Sequence, residues 1–377
     1  MRILYLDQTG DLGGAELSLV SEVTNLSHEA SVLLFADGPL REIFARSGVA
    51  VEVVAASPAV LGLRRGGGVA GAVRALPALV GLVCAVAGRV RDHDLVYANS
   101  QKAFVIGALA SLLTGRPVVW RLRDVLDASH FSFFLRRAAV LLANRRASRV
   151  IVNSQATGKA FVKAGGNTSL VAVAYPGIEQ APFTNVPAQA IAAMRLKLGG
   201  GSLIGVFGRL AAWKGQIVFA EALARLPGAT GVIVGAPLFG EEAFETELRE
   251  KIMELGIADR VWLLGFRKDI PLLMCSMDII AHCSIAPEPF GRVVVEAMLA
   301  GKPVVASAAG GVMEIIQHGE TGYLVEPGNV SALVAMLGGV MANAAACSVI
   351  AAAGRQWAEK NFTVAATVKQ IEAALKK

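Results

Sequence analysis

A chain of 377 residues, 54% hydrophobic and carrying 40 glycines, is too long for one ordinary core and too apolar to be disordered; it suits two α/β domains. The formal net charge of +6 arises entirely in residues 1–190, where 19 Lys and Arg stand against 13 Asp and Glu. Four cysteines (Cys84, Cys275, Cys283, Cys347) show no CxxC or CxxH spacing, which argues against a zinc or disulfide framework and suits reduced core residues of a cytoplasmic protein.

The chain opens on a buried-strand pattern, Arg2 to Leu6. It meets Asp7 and a glycine-rich segment too early to be the core of a secretory signal. Gly13-Gly-Ala-Glu16 then leads into a helix expected to run through Leu26. Glycines there let backbone approach a ligand, and the helix start offers partial positive charge. A tight turn without a ligand fits too, and the pattern is not the GxGxxG of dinucleotide sites.

Further strands are expected at Ala30–Phe35, Val49–Ala55, Asp94–Ala98, Pro117–Trp120 and Arg149–Val152, separated by helices. Continuous apolar strands alternating with helices call for a parallel sheet covered on both faces. The longest uncharged apolar stretch, residues 75–88, contains Pro77 and is short for a membrane span.

Three features of this half carry charge. Asp92-His-Asp94 has the DxD look of a metal site, but it lies at the amino end of a strand, where a structural role is expected. Trp120-Arg-Leu-Arg-Asp124 closes a strand at its carboxyl end, with Arg121 and Arg123 on one face; an internal Arg–Asp pair is the alternative to a ligand contact. His130 to Arg149 combines Phe131, Phe133, Phe134, Leu135, Val140, Leu141 and Leu142 with five arginines. Such a helix suits an anionic membrane surface, or equally a core-packed helix with a solvated basic face. No base-stacking aromatics interleave the arginines in any known module, so nucleic acid is not an expected partner.

Past a junction near Tyr175-Pro-Gly-Ile178, strands are expected at Leu203–Phe207, Thr230–Val234, Val261–Leu264, Ile279–Ala281 and Pro303–Ala306, with an exposed helix from Glu241 to Leu255. The plan is thus α/β: two doubly wound, Rossmann-like domains, residues 1–180 and 181–359, facing a cleft at the carboxyl ends of both sheets. Gly208-Arg-Leu-Ala-Ala-Trp-Lys-Gly215 follows a strand directly and holds Arg209 and Lys214 in one loop, where two cations can neutralise a diphosphate; two solvated surface cations are the alternative. It lacks Walker spacing. Glu288 and Glu296 bracket a helix entry at Pro289-Phe-Gly291, one in the loop and one about a turn and a half in. The free N–H groups between them attract phosphate, though a Glu capping the helix and an exposed Glu on its first turns fit the pattern equally. Ser307-Ala-Ala-Gly-Gly-Val-Met-Glu314 is a strand end and glycine turn able to admit a ligand, and Gly322 to Gly328 reads as a closing hairpin or loop.

Together these pieces resemble the retaining glycosyltransferases of family 4, which have the GT-B fold. The likeness rests on Gly13-Gly-Ala-Glu16, Tyr175-Pro-Gly-Ile178, the Gly208–Gly215 loop, Gly265-Phe-Arg-Lys-Asp269, the Glu288/Glu296 pair and the run from Gly301 to Val325. The resemblance implies that Arg209 and Lys214 hold the donor diphosphate, Glu288 the transferred sugar and Glu296 the ribose. It also places Phe290 and Gly291 N–H groups at the sugar and phosphate, Phe266 and Arg267 beside the base, and Gly13 and Gly14 near the diphosphate. The last helix, about residues 360–377, is expected to return to the first domain. Many relatives have a His where Arg123 stands, and a guanidinium cannot act as a base near neutral pH. The donor's own phosphate would then take the acceptor proton.

The expectation is a cytoplasmic, possible peripheral-membrane enzyme using a UDP- or GDP-sugar and a glycan or lipid-linked acceptor, with no metal or other cofactor. A GT-B sugar-nucleotide epimerase and a non-catalytic nucleotide-sugar-binding subunit are the alternatives.

Overall fold

The computed structural model describes residues 1–57, 60, 69–126, 133–237 and 240–376, without the side chains of residues 69–75 and 133–135. The chain divides into two compact units, Met1–Gly177 with Val364–Lys377, and Ile178–Thr363.

The first unit holds β1 (Arg2–Asp7), β2 (Glu29–Leu34), β3 (Ala50–Val53), β4 (Leu95–Ala98), β5 (Val118–Leu122), β6 (Ala147–Val152) and β7 (Val171–Val173). They form a parallel sheet in the order β3-β2-β1-β4-β5-β6-β7. These strands were readable as apolar runs because both faces are covered: every residue of β4 and β5 is buried. On one face Trp120 stacks on Phe104 with centroids 4.5 Å apart and meets Phe161 edge-on at 6.2 Å. On the other, Tyr5 and Tyr97 pack beside Leu19 and Val23 of the helix Gly14–Asn25.

The terminal helix Val364–Leu375 belongs to this unit and is fixed by polar contacts as well as by buried Ile371 and Ala374. Thr367 Oγ1 donates to the Tyr175 carbonyl at 2.6 Å, Tyr175 N–H donates to Gln370 Oε1 at 2.9 Å, and Ser27 Oγ donates to Glu372 at 2.6 Å. Asp94 accepts the Arg2 N–H at 2.8 Å, so half of the DxD look is a cap on the first strand.

The helix Phe133–Arg146 sinks Ala139, Val140 and Ala143 into the core and leaves Leu141 exposed. Val140, read from sequence as part of a membrane face, is therefore a core residue. His130, Phe131 and Ser132 lie outside the described residues. No single described helix is long and apolar enough to cross a membrane.

The second unit holds β8 (Ser202–Phe207), β9 (Ala229–Val234), β10 (Val261–Leu263), β11 (Ile279–His282), β12 (Val304–Ser307) and β13 (Tyr323–Val325). These too are parallel, in the order β10-β9-β8-β11-β12-β13. The Gly322–Gly328 segment is thus not a hairpin: Tyr323 to Val325 extend the sheet, with Tyr323 opposite Val305. Three residues between turn-forming glycines and a proline are too few for a strand pattern to show, and β7, equally short, escaped for the same reason.

In each sheet the strand order reverses at one place, β1/β4 in the first and β8/β11 in the second. Ligands in open α/β sheets gather beyond the strand ends at such a point.

Candidate active site

Beyond the carboxyl ends of β8 and β11 lie Arg209, Lys214 and Glu288. β8 ends at Phe207 and the chain turns through Gly208 and Arg209 to a short 3-10 turn, Ala212–Lys214, before the helix Gln216–Ala224. Gly215 joins turn to helix in the left-handed region (φ 68°), and a Cβ there would lie 2.0 Å from the Cys283 carbonyl oxygen. The loop after β8 is thereby pressed against the loop after β11, and Ile285 N–H donates to the Trp213 carbonyl at 2.8 Å.

This contact brings Lys214 to Glu288, 74 residues away in sequence. Lys214 Nζ hydrogen-bonds Glu288 Oε1. Ser284 Oγ donates to the same oxygen at 2.6 Å, and His282 Nε2 lies 3.1 Å from it. Glu288 is buried, and burial alone would push its carboxyl up. The Lys214 ammonium, then the His282 hydrogen bond, overcome this and hold it well below the usual carboxylate range. Lys214 also lies 4.3 Å from the centre of the Trp213 ring, with the Arg209 guanidinium 5.4 Å from it. Gln216 Nε2 ties the Arg209 carbonyl at 2.9 Å.

Glu288 is also gripped by its backbone. Gly310 adopts φ 62°, and a Cβ on it would sit 2.2 Å from the Glu288 carbonyl oxygen. That carbonyl accepts the Gly311 N–H at 2.8 Å, and a Cβ on Gly311 would lie 2.6 Å from Phe290 Cα. Glycines expected to admit a ligand therefore admit the Glu288–Phe290 backbone. Phe290 is buried edge-on to Phe362 at 5.6 Å, and Gly291 (φ 107°) starts the helix Arg292–Leu299. Glu296 lies in that helix, half-buried, accepting one bond from Arg292 at 3.3 Å. Phe266 is 69% exposed beyond β10, while Arg267 pairs with Asp269 at 2.6 Å.

In the first unit a second polar centre lies beyond β1, β4 and β5. Glu22 of the first helix takes Arg121 on Oε1 at 2.8 Å, and Arg123 and Tyr97 on Oε2, each at 3.0 Å. Arg123 Nε donates to Asn99 Oδ1, Asn99 donates to Asp7 Oδ2, and the Gln8 N–H donates to Asp7 Oδ1 at 2.6 Å. Both arginines do share a face, but their shared carboxylate is Glu22. Arg123 is buried in this network. Gly13 is the extended residue before the first helix and Gly14 its exposed first residue, with the Glu16 carboxylate folded back over Gly13.

Sequence reasoning passed over His282, Ser284, Asp7, Asn99 and Glu22. Three of these, Asp7, Asn99 and His282, could have been found by the rule that singled out Arg209, since each ends or follows a strand at its carboxyl end. Among the described residues no group of three or more His, Cys, Asp or Glu is placed to hold a metal ion.

Residues 192–357 match the family of glycosyl transferases group 1, and residues 16–177 match the glycosyl transferase 4-like domain. The crystal structure of Anabaena HepE in complex with UDP and glucose is 41% identical, with a TM-score of 0.91 and 100% of each chain covered. The lipopolysaccharide core biosynthesis mannosyltransferase LpsB of Rhizobium meliloti is 30% identical over 179 residues, 45% of this chain and 50% of that protein. The D-inositol 3-phosphate glycosyltransferase of Mycobacterium marinum is 31% identical over 199 residues, 52% of this chain and 42% of that protein. The chain thus spans about half the length of the curated relatives it matches. Two family domains in order, and a relative alike along its whole length, establish that the chain belongs to the group 1, family 4 glycosyltransferases and has their GT-B fold.

Proposed function

We propose that the protein transfers a sugar from a UDP-sugar to a hydroxyl of a glycan or lipid-linked acceptor, with retention of anomeric configuration. The observation that carries this reading is the Lys214–Glu288 pair at the switch point of the second sheet. A cation suited to a diphosphate and a carboxylate suited to sugar hydroxyls are in contact there, as a molecule joining those two groups requires. UDP as carrier is supported by the HepE complexes with UDP and with UDP-glucose, and a glycan acceptor by the likeness to LpsB.

In this reading Arg209 and Lys214 hold the diphosphate and stabilise the charge that gathers on it as the glycosidic bond breaks. Glu288 holds the sugar and Glu296 the ribose. The Phe290 and Gly291 N–H groups approach the phosphates, and Phe266 and Arg267 border the base. Arg123, engaged by Glu22 and Asn99, orders the first unit's strand ends and moves no proton. The leaving diphosphate accepts the acceptor's proton.

Thermal shift with UDP, GDP and ADP and their sugars tests the donor: UDP and one UDP-sugar should raise the melting temperature most, in proportion to affinity. With that donor, Lys214→Ala should lower turnover by about 10²–10³ while remaining folded. A product of inverted configuration, or a folded Lys214→Ala enzyme of unchanged turnover, would sink the reading.

A further inference from the structure

The way Glu288 is held goes beyond those roles. Its carboxylate is attached through a torsion with a broad, two-fold well, so packing alone does not fix which oxygen faces where. In this site all three side-chain donors converge on Oε1: Lys214 Nζ, Ser284 Oγ and His282 Nε2. Oε2 accepts no bond from the described residues, and it is not among the polar atoms sealed from solvent without a partner. The side chain keeps 8% of its surface open.

The donors are also ordered among themselves. A carboxylate only accepts, so Ser284 must give its hydrogen to Glu288, and the 3.3 Å approach of His282 Nε2 to Ser284 Oγ makes the serine an acceptor in turn. Nε2 must then carry the imidazole hydrogen toward both oxygens. Nδ1 is buried with no partner, which leaves the Nε2–H side of the ring as the one that works. Ser307 Oγ donates to the His282 carbonyl at 3.3 Å and steadies the strand end from which the ring projects.

We propose that Ser284 and His282 are positioning residues that, with Lys214, pin Oε1 of Glu288 and so present Oε2 as a single fixed acceptor for a hydroxyl of the transferred sugar. This rests on the donor reading above. Without the serine and histidine, Lys214 alone would hold Oε1 and the carboxylate could swing with the long lysine chain.

Calorimetric titration with bare UDP and with the UDP-sugar selected by thermal shift separates the possibilities. The parent should bind the UDP-sugar more tightly than UDP. Ser284→Ala should reduce that preference by about tenfold, the lower end for a hydrogen bond to a charged group, and leave UDP affinity unchanged. Ser284→Thr, which keeps a hydroxyl, should restore it, and His282→Phe should act as Ser284→Ala does. In a Glu288→Ala background the preference should already be gone, so that adding Ser284→Ala changes nothing further. A structural defect would instead weaken UDP binding as well. Preference retained in Ser284→Ala, a parent with no preference, or additive losses in the double variant would each overturn the positioning role. Failure of the parent to bind any nucleotide would strike the donor reading itself, a result distinct from these.

Discussion

The two switch points are built from similar parts to opposite ends. In the first unit Glu22 and Asp7 accept hydrogen bonds at both carboxylate oxygens, from arginine, tyrosine, asparagine and backbone. In the second, Glu288 gathers three side-chain donors on one oxygen and none of the described donors on the other. A closed polar centre holds strand ends in place; an open one leaves a charged atom for something else to meet. Burial and ion pairing alone do not tell Glu22 from Glu288, since both are buried and both are held below the usual range.

The contrast can be broken most forcefully at Glu22. Glu22→Ala leaves the fully buried Arg121 and the buried Arg123 without their counter-charge, and should lower unfolding free energy by about 3–5 kcal/mol in a denaturant titration. A loss below about 1 kcal/mol would show that this centre is not what holds the first unit's strand ends.

A pair of glycines sharpens the comparison next. Gly48 and Gly215 have similar backbones, φ 74° and 68°, but nothing lies within 4 Å of a Cβ on Gly48 whereas one on Gly215 meets the Cys283 carbonyl. Gly48→Ala should therefore lose only the left-handed penalty, about 1–2 kcal/mol. Gly215→Ala should lose more, together with affinity for the donor. Equal losses in the two variants would mean that the loops after β8 and β11 do not depend on their close approach.

An effect of a different kind, one that changes with pH, is expected at Glu16, half-buried at the first helix start. Burial, then the Asp7 carboxylate, push it up to about 7. Its folded-state pKa is raised, so the folded chain keeps a proton that the unfolded chain releases. Its contribution to stability is complete below the usual carboxylate range and is lost as pH rises through about 7. Glu16→Gln should match the parent at pH 4 and exceed it at pH 8 in melting temperature. A difference that does not change with pH would mean that neither burial nor Asp7 raises it.

Much of the fold was legible because strands such as β4 and β5 are apolar throughout, with helices between them. The helix entry at Pro289-Phe-Gly291 was legible for a local reason as well: proline and glycine constrain their own neighbours. What stayed hidden was long-range. Lys214 and Glu288 were assigned separate tasks, and only the fold shows them in contact across 74 residues. Arg121 and Arg123 could be placed on one face by strand alternation, but the carboxylate they share comes from a helix about a hundred residues earlier. At Gly310 and Gly311 a sequence shows room for a neighbour without saying that the Glu288–Phe290 backbone takes it.

That last point bears on any attempt to retune the choice of sugar proposed above. With the Glu288–Phe290 peptide wedged against two residues that have no side chain, the acidic loop and the turn after β12 pack as one jaw. Substituting either glycine would dislodge the acid itself before altering selectivity. Redesign is better directed to the side chains around that jaw, leaving its backbone as found.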